Sequence, residues 1–129
     1  MKSADTNLIV RFLVRDEPAQ VARARGYVER GIFVSDSVLM ETEWVLRSGY
    51  SWPRDRITLA LSSLIQIAGV RVASGSDLRW ALDRYGAGAD WADMLHLIAS
   101  RGHDAFVTFD KSLPGDAGPA TPIAIELSA

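Results

Sequence analysis

Residues 31–49, GIFVSDSVLMETEWVLRSG, decide the fold class. Gly31 stops what precedes it, and Ile32-Phe33-Val34 is the short apolar run of a buried strand. Ser35 and Asp36 follow, both helix-capping types. Val38, Thr42, Val45, Leu46 and Gly49 then recur at helical spacing. A strand passing directly into a capped helix is half of a βαβ unit.

The same alternation extends outward on both sides. Toward the N-terminus, Lys2–Ala4 is a short run that ends at the capping types Asp5-Thr6-Asn7. Leu8–Val14 reads as a helix. Pro18 suits the first turn of a second helix with Val21, Ala24 and Val28 at helical spacing. Toward the C-terminus, Pro53 opens a helix with Ile57, Leu61, Leu64 and Ala68 on one face, and Val70–Val72 is strand-like. Ser76-Asp77 cap a helix with Leu78, Leu82 and Tyr85 inward, and residues 86–88 break it. Asp90 caps a helix running through Ser100, and Gly102 ends it. Phe106–Phe109 is a strand, closed by Asp110. Residues 114–122, rich in Gly, Pro and Ala, read as a loop before a last strand, Ile123–Leu127. The pattern predicts the α/β class, a parallel sheet with helices on both faces. Such sheets bind ligands beyond the carboxyl ends of their strands. Asp5 and Asp110 each fall just after a predicted strand.

The chain has 129 residues, enough for one domain, 1–129, with a core of its own. Apolar residues form 48% and charged residues 23%, a globular balance rather than a disordered one. There is no cysteine, which excludes disulfides, zinc–thiolate sites and a cysteine nucleophile. No apolar run has the ~20 residues of a membrane span, and the N-terminus does not read as a signal peptide. A soluble, cytoplasmic protein is expected. The net charge of −2 argues against broad electrostatic binding of nucleic acid. Of the fourteen basic residues only Lys2 and Lys111 are lysine. Arginine suits bidentate phosphate contacts, but base composition of the gene gives the same bias.

Each acid has a bland reading and a chemical one. Asp5 serves as an N-cap, yet Thr6 and Asn7 could cap as well. Glu41 and Glu43 flank the apolar stripe Val38–Thr42–Val45–Gly49 on opposite sides. Glu43 has Arg47 four residues on, the orientation of a solvated surface pair. Glu41 lies between Trp44 and Val45, without a basic residue one turn away. A carboxylate against apolar walls needs a partner, and a cation is a natural one. Asp90 and Asp93 have capping-box spacing. Asp93 interrupts a helix that is apolar nearly all round, the signature of burial. Asp110 could simply initiate a turn. Thr108, two residues back, shares its face. His96, on the same helix side as Asp93, reads as a satisfied core histidine, and His103 as exposed.

Taken in order, these blocks resemble the PIN-domain ribonucleases, and most closely the VapC toxins of bacterial toxin–antitoxin pairs. The likeness is carried by Asp5-Thr6-Asn7, by Val34-Ser35 leading to Glu41 and Trp44-Val45-Leu46-Arg47, by Ala89-Asp90-Trp91-Ala92-Asp93 with Leu95-His96, and by Phe106-Val107-Thr108-Phe109-Asp110. They span residues 4 to 110. The resemblance implies a three-layer α/β/α fold with a central parallel sheet. It implies Asp5, Glu41, Asp93 and Asp110 as the catalytic, metal-holding acids, and Mg²⁺ as cofactor with Mn²⁺ as substitute. Asn7, Asp90 and Thr108 would support the acids from behind. The substrate implied is RNA, such as tRNA or another structured RNA. The partners implied are a cognate antitoxin and a second copy in a homodimer. A hard cation suits oxygen ligands, and four acids together repel unless a cation holds them or some are protonated. Arg11, Arg15 and Arg47 are candidate contacts to RNA phosphates. Trp52, Trp80 and Trp91 could stack on bases, though packing explains them as well. Leu8, Phe12 and Leu13 could form an exposed interface. The segment 114–122 departs from the family's expected helical continuation.

Two other readings compete. One is a non-catalytic PIN-like module that binds RNA or protein. The other is a Mg²⁺-dependent phosphatase or phospho-acceptor domain. For the latter the second aspartate after Asp5 is missing, since Thr6 and Asn7 follow, and Lys111 is poorly placed.

Overall fold

The computed structural model describes residues 1–128. Strands alternate with helices throughout: β1 (Lys2–Ser3), α1 (Thr6–Val14), α2 (Pro18–Arg30), β2 (Ile32–Phe33), α3 (Asp36–Gly49), α4 (Arg54–Gln66), β3 (Val70–Arg71), α5 (Gly75–Gly86), α6 (Trp91–Ala99), β4 (Phe106–Thr108), α7 (Leu113–Ala117) and β5 (Ile125–Leu127). The chain divides into two compact units, Met1–Gly75 and the part from Ser76 onward.

In the first unit β1, β2 and β3 form a parallel sheet in that order, with Lys2 opposite Ile32 and Ile32 opposite Val70. The crossovers are the expected helical ones. Parallel neighbours cannot be joined by a tight hairpin, so α1 and α2 lie between β1 and β2, and α3 and α4 between β2 and β3. Pro18 opens α2 at its first turn, and Gly31 leaves that helix at φ +98°. Ile9, Val28, Ile32, Leu39, Leu46 and Leu61 are among the side chains that fill the core. Each contributes ~1.5–3 kcal/mol relative to exposure.

Gly69 is fixed by contact rather than by conformation. A Cβ there would lie 1.9 Å from the Val28 carbonyl oxygen. The backbone of 69 presses on the end of α2, and its own carbonyl accepts from Ile32 N at 2.8 Å. α4 ends at Gln66, because Ile67 is already extended. Ala68 is therefore outside the helix and exposed, not on its inner face as the periodicity suggested.

The buried face of α3 is Leu39, Thr42, Glu43 and Leu46, about one residue round from the stripe Val38–Thr42–Val45–Gly49. Leu39 and Leu46 are seven residues apart and larger than Val38 and Val45, so they take the core. This rotation carries Glu43 inward and Glu41 outward.

In the second unit β4 and β5 pair in parallel, with Phe106 opposite Ile125 and Thr108 opposite Leu127. Leu78, Ala81, Leu82 and Tyr85 of α5 are buried, as are Trp91, Met94, Leu95, Leu97 and Ile98 of α6. Trp91 meets Tyr85 edge-on at 5.6 Å between centroids. The loop read over residues 114–122 is in part the short helix α7, with Pro114 in its first turn. Proline is tolerated there because that N–H would be unbonded anyway. Arg84 holds this helix from α5, donating from Nε to the Asp116 carbonyl at 2.7 Å.

Candidate functional site

Asp5 and Glu41 belong to the first unit and face one cavity of about 380 Å³. Thr6, Asn7, Val10, Arg11, Val45 and Tyr50 complete its walls. Asp5 is the N-cap of α1: its Oδ1 accepts from Leu8 N at 2.9 Å. The capping reading and the chemical reading are compatible, since the cap occupies one carboxylate oxygen and a carboxylate has two. Glu41 projects from the middle of α3 and accepts a hydrogen bond from the Thr6 hydroxyl. It is exposed, not walled in by apolar side chains. Glu41 is therefore not the acid against apolar walls that its neighbours suggest, and it is the glutamate of α3 that shares a cavity with Asp5.

Glu43 is the buried acid, 5% exposed. Arg47 Nε donates to it at 2.8 Å, and the guanidinium side remains half in solvent. The predicted pair exists, but it is a buried carboxylate tied to a surface arginine rather than a solvated pair.

Asp93 and Asp110 belong to the second unit. Asp90 caps α6, its Oδ2 accepting from Asp93 N at 3.0 Å. That is the capping-box spacing with its N-cap half in place. Asp93 is half-buried. Burial, followed by the charges of Asp90, Asp110 and Asp116, pushes its carboxyl above the ordinary range, and His96 partly offsets this. Asp110 goes the other way. Ser112 donates to its Oδ1 from the hydroxyl at 2.7 Å and from the backbone at 2.9 Å. These bonds, the hydroxyl's first, hold Asp110 below the usual carboxylate range. The Thr108 hydroxyl accepts from Asp110 N at 3.0 Å, which fixes the turn after β4. His96 is exposed, not a core residue, because α6 leaves His96 and Ala99 outside.

The cations take distinct places. Arg11 Nη1 donates to Asp16 at 2.7 Å and to the Tyr50 hydroxyl at 2.9 Å, on the wall of the Asp5–Glu41 cavity. The bond from Arg11 holds the Asp16 carboxyl below its ordinary range. Arg15 ends α1 in the left-handed region and lines a different hollow, beside Phe12 and Ala60. Trp91 is in the core and closed to bases, while Trp52 lies under the Arg56 guanidinium at 3.8 Å. Phe12 is also in the core, and Leu8 and Leu13 are only partly exposed. The large exposed apolar side chains are instead Trp44, Leu59, Val107 and Phe109, with Met1 and Leu127 at the ends of the chain.

Sequence reading missed Thr6, Asp16, Tyr50 and Ser112. Thr6 and Ser112 lie within two residues of a predicted acid, which is the signal that could have found them. Asp16 and Tyr50 meet Arg11 only through the packing of α1 and α3. Among the described residues no group of three or more His, Asp or Glu side chains stands ready as a cage for a metal ion. The candidate donors are all oxygens: Asp5, Glu41 and Thr6 line one cavity of the first unit, and in the second Asp93 feels the charges of Asp90 and Asp110. That chemistry fits a hard divalent cation.

No helix among the described residues is long and apolar enough to cross a membrane. No curated protein and no solved structure matches the chain. Residues 4–115 match the PIN domain. That stretch runs from the residue before Asp5 to five residues beyond Asp110, so it contains all four acids. PIN domains are commonly metal-dependent nucleases of three-layer α/β/α architecture, the fold class the strand–helix alternation predicted. The chain belongs to the PIN domain family.

Proposed function

We propose that the protein is a Mg²⁺-dependent endoribonuclease, with Mn²⁺ as substitute, and that it acts as the VapC-type toxin of a toxin–antitoxin pair in the cytoplasm. The observation that carries the reading is the PIN-domain match over residues 4–115, which contains Asp5, Glu41, Asp93 and Asp110. Burial and the charges of Asp90, Asp110 and Asp116 also raise the Asp93 carboxyl, a strain that a divalent cation would relieve.

In this reading Asp5, Glu41, Asp93 and Asp110 are the catalytic, metal-holding acids. Support comes from their order in the family-matched stretch and from the two oxygen-rich pairs. A bound divalent ion would promote deprotonation of water and neutralise charge on the scissile phosphate. The chain's own groups have separate tasks. Asp5 keeps one oxygen on the cap and turns the other outward. Thr6 holds Glu41 in one rotamer. Ser112 keeps Asp110 ionised. Attack of water on phosphorus with loss of the 3′ oxygen leaves 5′-phosphate and 3′-hydroxyl ends.

The partners proposed are a structured RNA such as tRNA, an antitoxin that covers the acids, and a second copy of the chain. Trp44, Val107 and Phe109 are better placed for protein contact than Phe12. The family assignment speaks against the phosphatase alternative. The non-catalytic binding module has one observation in its favour, the lack of a ready cage of three or more acids.

Cleavage of total tRNA and of a mixed RNA pool in Mg²⁺, Mn²⁺ or EDTA, by wild type and Asp93→Asn purified identically, tests the proposal. Metal-dependent cuts by wild type alone support it. Equal cutting by both proteins identifies a contaminant or a wrong site. No cutting, with no heat of metal binding in calorimetry, returns the binding module.

A further inference from the structure

A second hollow of about 190 Å³ lies between α1 and α2, and Asn7, Arg11, Gln20, Arg23 and Tyr27 are among its walls. Asn7 and Arg11 also line the Asp5–Glu41 cavity, so the two hollows adjoin across these two side chains. The two hollows have opposite character. One carries carboxylates. The other carries two guanidinium groups, two side-chain amides and a phenol, a set rich in hydrogen-bond donors.

Arg11 is held in place by Asp16 and Tyr50 through Nη1 alone, and a guanidinium has five N–H donors. Arg23 has no hydrogen bond or ion pair among the described residues, and it is exposed. At ~30 Å³ per water the hollow has room on the order of six waters, enough for a phosphodiester group. An anion entering it meets Arg11, held by Asp16 and Tyr50, and the exposed guanidinium of Arg23.

We propose that the α1–α2 hollow is a subsite for a backbone phosphate in a single-stranded stretch of the RNA substrate, next to the one at the acids, with Arg23 its principal contact and Arg11 shared between the two positions. The proposal rests on the reading of the Asp5–Glu41 cavity as part of the reacting centre. The acids repel a phosphate that arrives without a cation, so a flanking phosphate bound at Arg23 would supply attraction that does not depend on the metal. This is binding of a part of the substrate that does not react, and it orients the part that does.

The test uses a fluorescent, 2′-O-methylated single-stranded RNA, which is not cut, bound in EDTA and followed by anisotropy across a salt series. Wild type, Arg23→Ala, Arg23→Lys and Arg25→Ala are compared, Arg25 being an exposed cation of the same helix outside the hollow's lining. The expected result is about three- to tenfold weaker binding for Arg23→Ala, the span of one ordinary solvent-exposed hydrogen bond. The slope of log K against log salt should fall by ~0.7, one phosphate's worth of released counterions. Arg23→Lys should recover the slope, and Arg25→Ala should change neither quantity. Equal losses from Arg23→Ala and Arg25→Ala, or no loss from Arg23→Ala, overturn the subsite. A glutamate-rich peptide of equal charge that binds more tightly than the RNA with the same Arg23 dependence also overturns it. Cleavage assays on the same proteins separate the two proposals. A wild type that cuts RNA while Arg23→Ala binds normally sinks the subsite alone. RNA binding that depends on Arg23 without any cutting sinks the nuclease alone.

Discussion

Asp93 and Asp110 show how two acids in one unit are driven to opposite states by their surroundings. Asp93 is raised by burial and then by like charges, so protons bind it more tightly in the folded chain than in the unfolded one. Below the unfolded value, 3.8, both states are protonated and the group has no effect. As pH rises through the folded value the penalty grows, and above it the penalty is complete. Asp93→Asn should therefore melt at a higher temperature than wild type at pH 7 in EDTA, with the gap closing in strong acid. Differential scanning calorimetry across pH reads this directly, and a lower melting temperature at pH 7 would contradict it. Asp110 has the reverse sign: its lowered pKa adds stability that is lost as pH falls through the folded value. Ser112→Ala should thus destabilise slightly at pH 7 and not at all in strong acid. Thr6→Val tests positioning at Glu41. Loss of that bond should lower cleavage about tenfold, the equivalent of ~1.4 kcal/mol, while Thr6→Ser restores it. The acids were legible because their types and spacing are written in the chain. The environment of Glu41 and Glu43 was not, because a turn of α3 by one residue exchanges which is buried.

At the level of elements, the strand–helix alternation was legible wherever a capping residue met an apolar run. Ser35 accepts from Val38 N at 3.2 Å and starts α3 as its type predicts. Asp90 does the same for α6. Replacing either by alanine should cost ~1 kcal/mol in urea unfolding, with the midpoint shifted and the slope unchanged. What periodicity could not give was phase. Val38, Thr42 and Val45 are as well spaced as Leu39, Thr42 and Leu46, and only the volume of the core selects the leucines. Leu46→Ala should accordingly cost ~2–5 kcal/mol, well above Val45→Ala at the cavity's edge. α7 is hidden in the sequence because two of its five residues, Pro114 and Gly115, are the poorest helix formers. It depends on Arg84, thirty-two positions from Asp116, for its place.

For the whole molecule, the family match crosses the boundary between the two compact units, and each unit holds one pair of acids. Each pair is tested by itself. Calorimetric titration with Mn²⁺ should show weaker binding for Asp5→Asn and for Asp93→Asn, and an isotherm unchanged by either substitution would remove that acid from metal binding. Saturating Mn²⁺ should also raise the melting temperature of wild type, since a ligand of the folded state stabilises it by mass action, and leave Asp93→Asn unmoved. The order of the motifs is legible along the chain, whereas no local pattern encodes how distant segments meet.

Trp91 sits between Asp90 and Asp93 in the chain, buried against Tyr85, whereas Trp44 is 58% exposed on another helix. The protein thus carries its own optical reporter. Shielded indole emits toward the blue and solvated indole toward the red. A paramagnetic ion arriving at Asp93 should dim the blue edge of the emission band. The emission of unlabelled protein then reads out site occupancy during a stopped-flow mixing experiment, with no dye, tag or substrate.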